Sequence, residues 1–520
     1  MAVMEYVMGI DAGTSVVKAT IFSLEGREVA RAAQIVPITN PQTYMAEQDL
    51  HDVWMAAVRA VSEALTGSAI TPDKIRAVAV TGQGDGSWLV DTAGNPVGPA
   101  ILWTDGRAGE IVDEWGRDGT LSSTFKMTGG GPYAGTTSAI LRWRVENQKE
   151  LLERDDIRNV YCKDWVSYKL SGELFSDPSD YSLMGIDTVN RTYSDELMEA
   201  FGITEVKKWL PELKKNTDQV GVVTEQSAAL TGLRPGTPVF KGGVDISCSS
   251  LGCGVAEPGT AMAVIGTAGI VTVATDEPQN AFTPADVGWL IPHTDKTWIR
   301  SLGMNSATTN LEWFLREFGL QFREEASAVE GRNLYSYLDQ ELKKVPLGSN
   351  GIMYHGYNAP GGERAPFIKP SARASFNGIT GAHTRWEMIR SVYEGVAYGI
   401  RDCLDPIPVK VDTINMAGGG VNSPVWSQIF ADVLGRRVVV PAGTEFGAKG
   451  AAICAATGVG LFSSLEEGVR ETVDPLRVYE PDPKKTALYD EFFDVYKRQR
   501  LATMEVWDDL QAITRKAALA

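Results

Sequence analysis

The sequence predicts an α/β protein built from two domains of like fold. Apolar, β-branched stretches alternate with stretches whose apolar residues recur at helical spacing. A strand, Gly/Thr turn, strand unit near residue 11 returns near residue 266, the pattern of an internal repeat. At roughly 100–200 residues per domain, a chain of 520 is also too long for one compact core.

Residues 6–11, 16–23 and 28–36 read as a β-meander, with turns at Ala12-Gly13-Thr14-Ser15 and Leu24-Glu25-Gly26-Arg27. A helix follows, because Leu50, Val53, Trp54, Ala57, Val58, Val61 and Leu65 fall on one face. Asp49 is its expected N-cap and Gly67 its expected stop. Residues 76–81 read as a short buried strand. Near the middle, strands at 260–265 and 270–274 flank Gly266-Thr267-Ala268-Gly269; two unrelated hairpins are the alternative to a repeat. Further on, a strand at 412–416 leads through Gly418-Gly419-Gly420 to a helix at 423–434 and a strand at 436–440. A glycine-rich turn between strand and helix lets a nucleotide approach the backbone. Residues 481–520 read as one long helix bracing the surface. The expected domains are 1–246 and 247–520.

Composition narrows the function. Hydrophobic residues are 43% and charged residues 22%, an ordinary globular mix that excludes collagen, coiled coil and wholesale disorder. The formal net charge of −17 repels nucleic acid and anionic lipid, so neither is an expected partner. A local phosphate site remains open, since backbone N–H groups bind anions without net positive charge. Five scattered cysteines, never Cys-x-x-Cys, point to a reducing compartment. The four histidines lack zinc-site spacing. The N-terminal stretch has no basic region, and the longest apolar run, around 261–274, is broken and too short to span a bilayer. A soluble, cytoplasmic protein is expected, as a homodimer or other homo-oligomer.

Several short motifs carry candidate chemistry. Asp11, at a strand end, is suited to hold Mg²⁺ through water; Gly13, Thr14 and Ser15 suit phosphate, although a plain hairpin turn uses the same residues. Lys18 is placed to neutralise phosphate or to be solvated. Asp245, after Gly242-Gly243-Val244, is suited to accept a hydroxyl proton or to cap a helix. Gly84 and Asp85 in Thr81-Gly82-Gln83-Gly84-Asp85-Gly86, and Asp105 in Ile101-Leu102-Trp103-Thr104-Asp105-Gly106-Arg107, are candidate readers of sugar hydroxyls or turn residues. There is no Gly-x-x-x-x-Gly-Lys-[Ser/Thr], no Gly-x-Gly-x-x-Gly after the first strand and no Gly-x-Ser-x-Gly elbow.

Eight landmarks in order give the chain its resemblance. They are Gly9 to Ser15, Ile101 to Arg107, Cys162-Lys163-Asp164-Trp165, Gly242 to Asp245, Gly266-Thr267, Gly361-Gly362-Glu363-Arg364-Ala365-Pro366, Gly418 to Gly420, and Phe446 to Ala452. Together they resemble the FGGY carbohydrate kinases over nearly the whole chain. The resemblance implies two actin-like (ribonuclease H-like) domains, ATP and Mg²⁺ in the cleft between them, and phosphorylation of a terminal hydroxyl of a small polyol or sugar. It implies Asp245 as catalytic base and Asp11 as Mg²⁺ organiser. Gly13, Thr14, Ser15, Lys18, Gly266 and Thr267 would hold phosphate, and Gly418, Gly419, Gly420 and Asn422 the adenosine side.

Gly84, Asp85, Asp105, Tyr133 and Asp245 would bind substrate. Xylulokinases have Met-His where Gly84-Asp85 stands and glycerol kinases Arg-Glu; Pro132-Tyr133 resembles the glycerol-kinase segment. The Gly-Gln-Gly-Asp-Gly run with Trp88 resembles erythritol kinases, and Asn310 to Phe314 resembles L-xylulose kinases. Erythritol is the expected substrate. A pentulose of the L-xylulose or D-xylulose type is the alternative, and an actin-like ATPase without a sugar acceptor is the alternative of another class.

Overall fold

The computed structural model describes residues 5–183, 186–283, 286–328 and 333–518. The ends of the expected domains and of the expected last helix, at residues 1–4 and 519–520, lie outside them.

The N-terminal meander forms as β1 (Tyr6–Ala12), β2 (Val16–Ser23) and β3 (Glu28–Ile35). β1 is buried along its length, as a strand covered on both faces must be, whereas β3 alternates between half-buried and exposed, as an edge strand does. Helix α1 (Leu50–Ser68) covers one face of the meander. Asp49 caps it, accepting from His51 N at 2.6 Å. The helix passes through Gly67 and stops at Ala69, which takes a left-handed φ of 55° just before Pro72. β4 (Ile75–Gly82) then runs parallel to β1.

Between β4 and the next sheet strand lies an insertion with its own core, around Leu89, Trp115, Tyr161, Tyr181 and Trp209. It includes α2 (Cys162–Ser171), whose Trp165 indole donates to Leu50 O at 2.7 Å. β5 (Gln219–Val222) and β6 (Pro238–Phe240) complete a six-stranded sheet ordered β5-β6-β4-β1-β2-β3. Helix α3 (Asp245–Gly252) follows.

The second sheet repeats this plan. β7 (Thr260–Ile265) and β8 (Gly269–Thr275) form a hairpin, extended antiparallel by β10 (Trp298–Met304) and β9 (Trp289–Pro292). After the long helix α4 (Arg385–Leu404), β11 (Thr413–Ala417) adds parallel to β7. Helix α5 (Pro424–Leu434), capped by Ser423, leads to β12 (Arg437–Pro441), parallel to β11. The order is β9-β10-β8-β7-β11-β12-β13, with β13 (Pro475–Tyr479) antiparallel at the edge. Each sheet is therefore a meander followed by two parallel strands and one antiparallel edge. This is the actin-like, ribonuclease H-like plan, and it settles the repeat against two unrelated hairpins.

One helix crosses between the halves. α6 (Phe446–Gly458) lies between β12 and β13 of the second sheet in sequence but packs on α3 and on β1 and β4 of the first. Ala451, Cys454 and Ala455 share a core with Ala77, Ala79, Cys248 and Leu251. The last helix, α7 (Pro483–Ala518), is more than a surface brace: Tyr489, Phe493 and Tyr496 are buried in the core of the second domain. Among the described residues no helix is long and apolar enough to cross a membrane.

Candidate active site

Three carboxylates gather where the first sheet meets α3. Asp11 lies near the end of β1, paired in register with Thr81 of β4. The Thr81 hydroxyl donates to Gly243 O at 2.7 Å, and Gly82 bridges to Val244, so the segment carrying Asp245 is tied to the strand ends. Asp245 opens α3, where the helix dipole favours negative charge. Its Oδ1 accepts from Ile246 N at 2.6 Å. Asp85 follows Gly84 with a left-handed φ of 56°. Its Oδ2 accepts from the Tyr133 hydroxyl at 2.9 Å, and its Oδ1 faces Thr137 N at 3.3 Å.

Burial raises all three. Asp245 is pushed up to about 7, first by burial and then by the charges of Asp11 and Asp85. Asp11 and Asp85 rise to about 6, again through burial. Tyr133 is held protonated well above its usual range by burial and by Asp85, and it feels Asp245 as well. Asp85, Tyr133 and Asp245 thus lie within electrostatic reach of one another. A base near neutrality beside a fixed acceptor is what proton abstraction from a polyhydroxyl substrate needs.

The first loop expected at the phosphates follows Asp11 directly, and the second leaves β7, whose Val264 packs in one apolar cluster with Val244 and Ile246 on either side of Asp245. Gly13 N bonds to Val16 O at 3.1 Å, closing the first turn and leaving Ser15 exposed. The Thr14 hydroxyl accepts from the Trp103 indole at 2.9 Å. In the second turn, Gly266 N bonds to Ala268 O at 3.1 Å and Thr267 is exposed. Gly418 and Gly420 pack against Ile265, the residue before Gly266; a Cβ on Gly418 would lie 2.6 Å from Ile265 O. The glycine run and the second turn are thereby neighbours. Asn422 stands exposed just beyond.

Three expected site residues have other work. Asp105 is fully engaged: its carboxylate accepts from Ala46 N at 2.7 Å and from Arg107 N, Nε and Nη2 at 2.8, 2.8 and 2.9 Å. It fixes Arg107, which also meets Glu47 at 2.6 Å, and has no acceptor left for a sugar hydroxyl. Gly84 is small because Val244 is close: a Cβ there would lie 2.7 Å from Val244 Cγ2, so its size does not by itself make room for ligand. Lys18 is paired with Glu445 at 2.9 Å, across from the second half of the chain, instead of standing free for phosphate. Of the residues that carried the likeness to particular kinases, Asn310 is buried in the second domain, bonding Tyr354, Ser306 O and Ala307 O, and Trp88 lies in the first core.

Other residues stand near the site without having been singled out. A Cβ on Gly447 would lie 2.6 Å from Asp11 Oδ2, so α6 needs glycine there to clear that carboxylate. Arg364 acts electrostatically on Tyr133 from the second domain while donating Nε to Gly303 O at 3.0 Å. Both belong to recognised landmarks, but their sequence signal carried no role.

Comparison with known proteins fits this geometry. The N-terminal domain of the FGGY family of carbohydrate kinases matches residues 6–252, and the C-terminal domain of that family matches residues 261–459. The chain belongs to the FGGY family of carbohydrate kinases. It is 31% identical over 511 residues to erythritol kinase of Brucella abortus (strain 2308), covering 97% of this chain and 98% of the relative. It is 28% identical to L-xylulose/3-keto-L-gulonate kinase of Escherichia coli (strain K12), covering 95% and 96%. Among solved structures, xylulose kinase of Rhodospirillum rubrum superposes with a TM-score of 0.83 at 26% identity, covering 97% of this chain and all of that one. This FGGY chain is therefore a sugar kinase acting on a polyol or pentulose with ATP as phosphate donor. That membership speaks against an ATPase without a sugar acceptor.

Proposed function

We propose that this FGGY kinase phosphorylates a terminal hydroxyl of a small polyol, and that the polyol is erythritol. The observation that carries the reading is the Asp85 carboxylate, fixed by the Tyr133 hydroxyl at 2.9 Å and within electrostatic reach of Asp245. Asp85 accepts hydrogen bonds from substrate hydroxyls and holds the chain of the polyol. Asp245 takes the proton of the terminal hydroxyl. That oxygen bonds to the γ-phosphorus as the bond to the β,γ-bridging oxygen of ATP breaks, and ADP leaves.

Asp11 fits an Mg²⁺ ion held through water: no protein group among the described residues donates a hydrogen bond to its carboxylate, and burial leaves it poorly solvated. The ion would supply neutralisation of the phosphate charge. Gly13, Thr14 and Ser15 from one lobe and Gly266 and Thr267 from the other would cradle the phosphates, with Gly418, Gly419, Gly420 and Asn422 towards adenosine. Water competes with any alcohol acceptor, so the lobes must close on bound sugar to exclude it.

The first-named relative, an erythritol kinase, supports the polyol; the second, an L-xylulose/3-keto-L-gulonate kinase, favours a pentulose. A coupled ADP-release screen over glycerol, erythritol, tetruloses, pentuloses and pentitols decides between them. Erythritol should give the highest kcat/KM. A pentulose that exceeds it overturns the polyol reading.

A further inference from the structure

A sealed ionic network lies beneath the site. Lys163 Nζ sits among three buried acids, 2.7 Å from Asp164 Oδ1, 2.7 Å from Asp180 Oδ2 and in contact with Asp177 Oδ2. Lys241 Nζ meets Asp164 Oδ1 from the opposite side. All five side chains are excluded from solvent. The acids resemble a metal cage, but the Lys163 ammonium occupies the place a cation would take.

Two branches leave the network towards the site. Asp177 Oδ1 accepts from Ser179 N at 2.9 Å and from the Ser179 hydroxyl. The Ser179 Oγ in turn accepts from the amide N–H of Val244, the residue immediately before Asp245, at 2.9 Å. Asp180 forms the other branch. Its Oδ1 has no donor among the described residues and lies 3.1 Å from where a Cβ on Gly84 would stand. The stretch 241–244 is thus pinned at both ends: Lys241 by Asp164 and Val244 by Ser179. Burying five ionisable side chains is costly and weak as a source of stability, so such a network is better explained by what it orients.

We infer that Ser179, backed by Asp177 and Lys163, is a positioning residue that aims Asp245 at the substrate hydroxyl. The inference rests on the reading of Asp245 as base. Ser179 touches no reacting atom; it acts by fixing the Val244 N–H, one residue before the Cα from which the Asp245 side chain departs. Displacing a catalytic group by about 1 Å can cost on the order of 10²-fold in rate, so a single hydrogen bond two residues removed from the chemistry can matter.

The test is a double-mutant cycle of Ser179→Ala and Asp245→Asn in the full-length enzyme, with kcat and both KM values read for each. Ser179→Ala should lower kcat by about 10- to 100-fold while KM for ATP and for sugar stay within about twofold. In the Asp245→Asn background it should cost nothing more, because the group being aimed is already lost. Turnover of Ser179→Ala within twofold of wild type, or losses that multiply in the double variant, would overturn the inference. If Ser179→Ala does not fold, Asp177→Asn, which weakens the acceptor for the Ser179 hydroxyl, takes its place in the same cycle with the same outcomes. Wild-type turnover in Asp245→Asn alone would instead remove the base, and so separates failure of that reading from failure of this one.

Discussion

The indole Nε1 of Trp103 donates to Thr14 Oγ1 at 2.9 Å. Trp103 comes from the insertion that carries the residues proposed to bind sugar, and Thr14 from the turn proposed to hold phosphate, so one hydrogen bond joins the two proposed sites. Trp103→Phe keeps the ring and removes the donor. At about 0.5–1.5 kcal/mol for a net hydrogen bond, KM for ATP should rise roughly 2- to 10-fold. Sugar KM should change less, and steady-state kinetics in both substrates would show the split.

Asp245→Asn should lower kcat by about 10²- to 10⁴-fold, the usual worth of a general base, with little change in nucleotide affinity. Titration calorimetry with an ATP analogue checks the second half. A variant that turns over like the wild type would place the base elsewhere.

The pH dependence follows from the raised carboxylates. Asp245, at about 7 in the free enzyme, must be ionised to accept a proton. kcat/KM should therefore climb about tenfold per pH unit below neutrality and level off above about 7. Stability runs the other way. The folded state holds a proton that the unfolded chain has already lost, so stability falls as pH rises from about 4 to about 7 and is flat beyond. Asp245→Asn should accordingly raise the melting temperature at pH 8, and the gain should vanish near pH 4. An equal gain at both pH values would contradict the raised value.

Asp85→Ala removes the acceptor of the Tyr133 hydroxyl and the one expected for substrate. An unpaired buried group costs about 1–3 kcal/mol, so kcat/KM for the sugar should fall roughly 10- to 100-fold while KM for ATP barely moves. Unchanged sugar kinetics with a lowered melting temperature would make Asp85 a turn residue only. An arginine at Gly84 is a poor probe of substrate size, because its Cβ alone would press on Val244 at 2.7 Å.

Gly447→Ala tests Asp11 without altering it. The added methyl would lie 2.6 Å from Asp11 Oδ2, closer than atoms can stand, so the carboxylate or α6 must shift. Activity should fall and the Mg²⁺ concentration for half-maximal rate should rise. A variant with the wild-type Mg²⁺ requirement would argue against Asp11 as the metal's organiser.

The meander β1 to β3, the hairpin of β7 and β8 and the parallel strands β4, β11 and β12 were legible in the sequence because they are apolar runs between turn residues, a signal written locally, whereas β5, β6, β9, β10 and β13 went unread. Asp49 as N-cap was readable for the same reason. Asp105 was misread because an aspartate before Gly106-Arg107 looks alike whether it waits for a ligand or binds its own arginine; only the fold brings Ala46 and Arg107 to it. The network under Asp245 was hidden because Lys163, the pair Asp177 and Ser179, and Lys241 come from three separate stretches and are ordinary one by one. The destination of α6 was hidden as well. Its glycines and alanines announce a close-packed helix and do not say which sheet it packs on.

The crossing of α6 has a consequence for how the protein is made. The surface of β1 and β4 that α6 covers is synthesised first and must wait for residue 446. At about 5–20 residues per second, the interval from the end of α3 to the start of α6 is roughly 10–40 s on the ribosome. Throughout it the nascent first domain carries an uncovered apolar face, open to chaperones and to misassembly with neighbouring chains. A fragment ending after α3 should share that fate permanently, and supplying residues 253–518 as a second polypeptide should rescue it. The two halves of this kinase are separate in architecture and a single unit in biogenesis.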